Sequence, residues 1–292
     1  MRRFGRSMVA AALTALAAAG PGTAQDGSAY ARPTAEEALA FLRTLPPVGR
    51  KVDGKPQMVQ LWQDKTVADV KSMKSLQFGG HVQGGAHLRM KGEDWRFLTA
   101  FESLEEANLW EIDGADDRAF FHLGHLSATV TKIFVEQAEV TDEGVRHLQG
   151  LKNLRFAGIG WTKSITDEAL RHLAGIPSLE EINVSGCPGI AGPGLKHLAS
   201  LPKLKTLHLN DPGFGDEGLA HLAPLGIETL HMTKPPAWAK KPYKIGFPAL
   251  KALLSDKAAL PNLKTLNLKN AVTAAQAAEL MALRPGLKVA EK

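Results

Sequence analysis

Apolar residues in this chain follow two alternating rhythms. The first is L-x-x-L-x-L, written as Leu179-x-x-Ile182-x-Val184, Leu204-x-x-Leu207-x-Leu209, Ile227-x-x-Leu230-x-Met232 and Leu263-x-x-Leu266-x-Leu268. Leu151-x-x-Leu154-x-Phe156 is a further clear copy, and weaker ones lie upstream, as Met73-x-x-Leu76-x-Phe78, Leu104-x-x-Ala107-x-Leu109 and Val130-x-x-Ile133-x-Val135. The last two apolar positions are two residues apart, the spacing of a strand with one buried face. The second rhythm precedes the first. Leu195 and Leu198 stand three apart with Leu201 following, the stripe of a short helix. The helical phrase begins at Val140, Ile165, Ile190 and Phe214, so the unit repeats every 24–25 residues. A fixed period of this size means stacked units, each burying its apolar side against the next. Parallel strands are expected at 76–78, 107–109, 133–135, 154–156, 182–184, 207–209, 230–232 and 266–268.

One strand and one helix per unit of this length resembles the leucine-rich repeat family. The ribonuclease-inhibitor-like, cysteine-containing subtype found in F-box receptors is the nearest in pattern. In that subtype the strand motif ends in Asn or Cys. Cys187 stands there after Ile182 and Val184, and Asn210 near it after Leu207 and Leu209. The resemblance covers about residues 70–290 and implies an α/β solenoid, an arc or horseshoe. Strands about 4.8 Å apart and helices about 8–10 Å apart cannot stack straight. The strands should therefore line the concave face and the helices the convex face.

The organisation reads as residues 1–24 a signal peptide, 25–72 a linker and N-terminal cap, and 73–292 the repeat domain. Arg2, Arg3 and Arg6 precede an apolar run from Met8 to Ala19, and Gly22-Thr23-Ala24 offers a small-residue cleavage site. The run is too short to span a bilayer. The expected address is outside the cytoplasm, periplasmic or extracellular. Removing this segment takes away three arginines and no acid, so the formal charge of +5 becomes +2. That balance gives no reason to expect nucleic acid. A single cysteine, Cys187, excludes an intramolecular disulfide.

Candidate chemistry is sparse. His122, His147, His172, His197 and His221 recur at repeat spacing, each before a core Leu, and read as border residues of the helical stripe. A metal would need imidazoles converging at about 2 Å, which helices 8–10 Å apart do not provide. The segment 157–164 falls short of a phosphate loop, because Ala157 and Thr162 replace its glycines. No catalytic motif is present, so neither an enzyme nor a cofactor or metal is expected.

The outward positions of the strands are the remaining surface. Trp110 and Phe134 are large and apolar where a wet face is expected, and with Arg155 they have the composition of an interface hot spot. Asn183, His208 and His231 continue the column. Trp161, Trp238 and Tyr243 fall on loops at one rim. The expected function is a protein-binding module. A carbohydrate or envelope-polymer binder, stacking sugar rings on the rim aromatics, is the alternative.

Overall fold

The computed structural model describes residues 30–52, 55–78, 87–110, 112–235 and 243–291. The signal segment 1–24, Trp238 and most of the two strand-to-helix insertions lie outside the described residues. The chain divides into Met1–Ala31 and a compact unit, Arg32–Lys292.

The second unit opens with helix α1 (Ala35–Leu42), an antiparallel hairpin of β1 (Val48–Val52) and β2 (Lys55–Val59), and α2 (Val67–Ser72). Thr34 and Thr66 cap the two helices, each in a reciprocal box with the acid three residues on, Glu37 and Asp69. Trp62 is buried against Phe78 and Phe101, with ring centroids 5.6 and 6.0 Å apart. It covers the apolar end that a stack of repeats would otherwise leave open.

Next come β3 (Ser75–Gln77), β4 (Leu88–Arg89), β5 (Glu106–Asn108), β6 (Ile112–Asp113), α3 (Asp117–Leu123) and β7 (Lys132–Phe134). They are followed by α4 (Asp142–Arg146), β8 (Phe156–Gly158), α5 (Asp167–Leu173), β9 (Glu181–Asn183), β10 (Thr206–His208) and β11 (Thr229–His231). The unit ends with α6 (Phe247–Ser255), β12 (Thr265–Asn267), α7 (Ala274–Leu283) and β13 (Lys288–Ala290). Short 3-10 helices stand in the helical position at Gly92–Ala100, Pro193–Ser200 and Asp216–Leu222.

Nine strands form one parallel sheet in the order β13-β12-β11-β10-β9-β8-β7-β5-β3, and β4 pairs β6 beside it. The central residue of each three-residue strand is buried, and the row runs Leu76, Ala107, Ile133, Ala157, Ile182, Leu207, Leu230, Leu266, Val289. Seven of the expected strands start one residue earlier than the pattern suggested. The strand expected at 154–156 is different: it occupies Phe156–Gly158, with Phe156 aligned on Lys132 and Glu181. Leu151, Leu154 and Phe156 spell the strand phrase by themselves, but the period of 25 pairs Leu154 with Leu179 and Ala157 with Ile182. Ala157 removes too little apolar area from water to announce itself as a core position.

The helical side is held by a ladder of carboxylates. Asp117 accepts from the Thr141 N–H and hydroxyl at 2.7 and 2.8 Å. Asp142 accepts in the same way from Thr166 at 2.8 and 2.6 Å, and also from the Ala169 N–H at 3.1 Å. Where the following helix is capped by glycine instead of threonine only the backbone bond remains, from Gly192 to Asp167 and from Gly246 to Asp216. These acids sit in the first turn of their own helices, where the dipole favours them, yet their bonds go to the following repeat. Asp142→Ala should therefore cost about 1–2 kcal/mol in urea unfolding. Asp167→Ala, which loses one bond, should cost less than about 1 kcal/mol.

Candidate interaction surface

Flanking the buried row, two columns make up the open face of the sheet, half-buried to exposed except at Gly158, which is buried. One runs Ser75, Glu106, Lys132, Phe156, Glu181, Thr206, Thr229, Thr265, Lys288. The other runs Gln77, Asn108, Phe134, Gly158, Asn183, His208, His231, Asn267, Ala290. Asn183, His208 and His231 are thus placed in a single column, as the pattern implied.

The first half of this face is aromatic. Phe134 stacks on Phe156 of the next strand, centroids 5.9 Å apart and planes at 27°. Gly158 makes room for that stack, because a Cβ there would lie 2.2 Å from Phe134 Cδ2. Trp110 follows β5 and is 37% exposed. Arg155 is not part of this cluster. It precedes β8, and its guanidinium is bidentate to Glu180 at 2.8 and 2.8 Å. The register shift explains this, since it moves Arg155 out of the outward column and brings in Phe156. The signal available in the sequence was the period, which aligns Phe156 with Glu181.

The second half is polar and internally bonded. Glu181 Oε1 lies 2.7 Å from His208 Nε2. The His208 ring stacks on His231 at 4.2 Å and 8°. The Asn267 amide donates to His231 Nδ1 at 3.2 Å. Burial, reinforced by the neighbouring His208, lowers the His231 pKa. The charged groups beside the sheet are largely paired as well, Lys74 with Glu105, Lys132 with Glu106 and Lys264 with Glu228, each at 2.8 Å. Such exposed pairs contribute little to stability, and they leave few unpaired charges on this side of the described residues.

At the rim, Trp161 adopts a left-handed backbone, φ 57°, in the column shared by Gln137 (55°), Gly186 (69°) and Asp211 (51°). Its indole lies over Gly186, where a Cβ would come within 2.5 Å of Cε3. It is 38% exposed. Tyr243 is half-buried and its hydroxyl donates to the Met232 carbonyl at 2.7 Å, so it packs on the end of β11 and offers less surface than its loop position implied. Burial pushes its phenol pKa up. Trp238 lies outside the described residues. Cys187 is buried at the strand end, and burial pushes its thiol up to about 12.

The histidine column lies on the helical side. His122 and His172 are buried, while His147, His197 and His221 are half-buried. Phe121 is packed among three imidazoles, His122, His125 and His147, at 5.3, 4.7 and 5.3 Å. Burial lowers the His122, His147 and His172 pKa values, that of His122 to about 4. Among the described residues, no group of three or more His, Cys, Asp or Glu is arranged to hold a metal ion. No helix among them is long and apolar enough to cross a membrane.

A sequence profile of the Leucine Rich repeat family matches residues 200–223, which run from the end of one 3-10 helix through β10 to the end of the next. With the nine-stranded parallel sheet, the match supports a leucine-rich repeat family for this chain. The crystal structure of the Rad7 and Elc1 complex from yeast is similar at a TM-score of 0.46 and 16% sequence identity. The likeness covers 69% of this chain and 58% of that one. No curated protein sequence matches the chain.

Proposed function

We propose that this protein is a non-enzymatic, exported protein-binding module of the cysteine-containing repeat subtype, and that its contact surface is the concave, strand-lined side of an arc. One observation carries the reading. Among the described residues, four large apolar side chains are exposed: Met58, Trp110, Trp161 and Met281. Two of the four, Trp110 and Trp161, lie just beyond β5 and β8 of the sheet that carries the Phe134–Phe156 stack. Exposed tryptophans on the same sheet as half-buried phenylalanines have the make-up of an interface anchor. Export rests on the 1–24 segment, and the subtype on Cys187 and Asn210 at the strand ends.

The test is retention of a partner from envelope extract on immobilised protein, followed by titration with that partner once purified. Trp110→Ala should weaken binding by roughly 2 kcal/mol or more, as for a central anchor. It should leave the sheet folded with a cooperative unfolding transition, because 37% of the residue is open to solvent and no strand core position is touched. A partner that binds the variant equally well, or a large stability loss with binding intact, would remove the open face from the function.

A further inference from the structure

The polar half of the open face is held by contacts that a charged His231 cannot make. Glu181, His208, His231 and Asn267 come from four neighbouring strands, β9 to β12, and all four are half-buried. The orientation of Asn267 is fixed, because its Oδ1 accepts from the Lys269 N–H at 3.1 Å. Its amide nitrogen, which can only donate, therefore faces His231 Nδ1 at 3.2 Å. That bond needs a lone pair on Nδ1, so His231 is neutral with its proton on Nε2. The ring also lies 4.2 Å from His208, at 8°, and His208 Nε2 is 2.7 Å from Glu181 Oε1. The charged groups that act on His231 are these two, His208 on β10 and Glu181 on β9. From β12 it meets the neutral Asn267. Glu228 and Lys264, just before β11 and β12, are paired with each other at 2.8 Å. Lys234 and Lys269 follow the ends of the same strands, and the Tyr243 hydroxyl donates to the Met232 carbonyl. A proton added to His231 sets an N–H against the Asn267 amino group. Turning the amide over relieves that clash only by giving up the bond to Lys269. With both rings charged, the single carboxylate of Glu181 is left with two cations stacked face to face.

We infer that these four residues form a pH switch in the contact face, closed while His231 is neutral, opened when it is protonated, and releasing the protein partner as it opens. The bonded row is continuous with the aromatic half of the face, since Glu181 is aligned with Phe156, whose ring stacks on Phe134. A partner seated on that stack and on the closed row would trap any new charge at its interface, where an unpaired cation is costly. It therefore binds the neutral form better. Burial, with His208 adding to it, holds the His231 pKa below 6.5 although Glu181 opposes the shift. Binding is then level above about pH 6.5 and weakens below it, as the free protein takes up a proton that the complex refuses. The release rests on the protein-binding reading, and the opening can be tested without a partner.

The experiment follows the full chain, its histidine and asparagine side chains labelled with nitrogen-15, by NMR from pH 8 to 4.5. At pH 8 His231 should be the Nε2–H tautomer. On acidification the Asn267 amide should shift with the same midpoint as the His231 ring, below pH 6.5. Asn267→Asp, which sets a carboxylate beside Nδ1, should raise that midpoint by about one pH unit or more. The Nδ1–H tautomer at pH 8, or an Asn267 amide indifferent to the titration, would overturn the inference. With the partner retained in the test above and then purified, Kd should rise at least about threefold from pH 7.5 to 5, with the circular dichroism of the free protein unchanged. In His231→Gln it should stay level. A wild-type Kd that is level or falls, or an equal rise in His231→Gln, would overturn the inference. So would loss of the rise in His122→Gln, which would assign it to acid weakening of the fold. If Trp110→Ala weakens binding while the wild-type Kd is level, the protein-binding reading stands without the switch. If His231 and Asn267 titrate together while no protein partner is retained, the opening stands and that reading fails.

Discussion

Leu207→Asp is expected to lose at least about 4 kcal/mol, a large part of the 5–15 kcal/mol that holds a typical domain together. Leu207 is fully buried at the centre of β10, between Ile182 and Leu230 in the same row. A carboxylate there would leave water without a partner, and the neighbouring side chains of the row offer only hydrocarbon. In a repeat stack each unit is stabilised mainly by its neighbours. The loss should therefore spread to β9 and β11 as faster amide exchange, while β3 and β5 keep their protection. Thr206→Asp is the control. Thr206 is the next residue along the strand but faces outward and is half-exposed, so its change should stay within about 1 kcal/mol. Similar losses from both variants in urea unfolding would mean that the inward and outward sets have been assigned to the wrong faces.

Acid should weaken the fold in the window set by the buried imidazoles. Burial, with Arg118 as a further cause, lowers the His122 pKa from 6.5 to about 4, although Glu93 opposes the shift from 3.3 Å away. His125 faces the same ring and opposes protonation too. Between pH 6.5 and 4 the unfolded chain takes up a proton that the native chain refuses, so stability is complete above about 6.5 and falls as pH drops toward 4. For a depression of this size the loss by pH 4.5 is about 2–3 kcal/mol. His147 and His172 are lowered by burial and push in the same direction. Urea unfolding of the wild type and of His122→Gln at pH 7 and 4.5 checks this. The variant should be the less stable at pH 7 and should lose clearly less than the wild type on acidification. Parallel pH profiles would show that His122 is not the group responsible.

Period and polarity were enough to place most of the scaffold. The spacing of 24–25 residues, with period-two apolar pairs inside each unit, implied parallel strands and short helices, and the strands at β3, β5, β7 and β9–β12 lie within one residue of the expected positions. Such patterns are legible because every repeat restates them, so one weak copy is corrected by its neighbours. The misplaced copy, Leu151-x-x-Leu154-x-Phe156, shows the limit. Local apolar spacing admitted two registers three residues apart, and Ala157 is too small to decide between them. Stacking against Ile133 and Ile182 decided it. That choice put Arg155 beside Glu180 and Phe156 beside Phe134.

The interaction surface was only half written in the chain. Trp110, Phe134, Asn183, His208 and His231 could be listed from outward positions, since alternation along a strand is a local property. What those side chains do to residues about 25 positions away is not local. Sequence alone determined the repeat, the buried row apart from Ala157, and the outward residues apart from those of β8. Tertiary structure alone decided that Glu181, His208, His231 and Asn267 share one bonded row. It alone brought Glu136, Asn183 and the Ser185 carbonyl around Gly160. The physical reason is that hydrogen bonds, ring stacks and desolvation depend on distances of a few ångströms between strands. Those distances are fixed by the register of one repeat on the next, and no single repeat encodes that register.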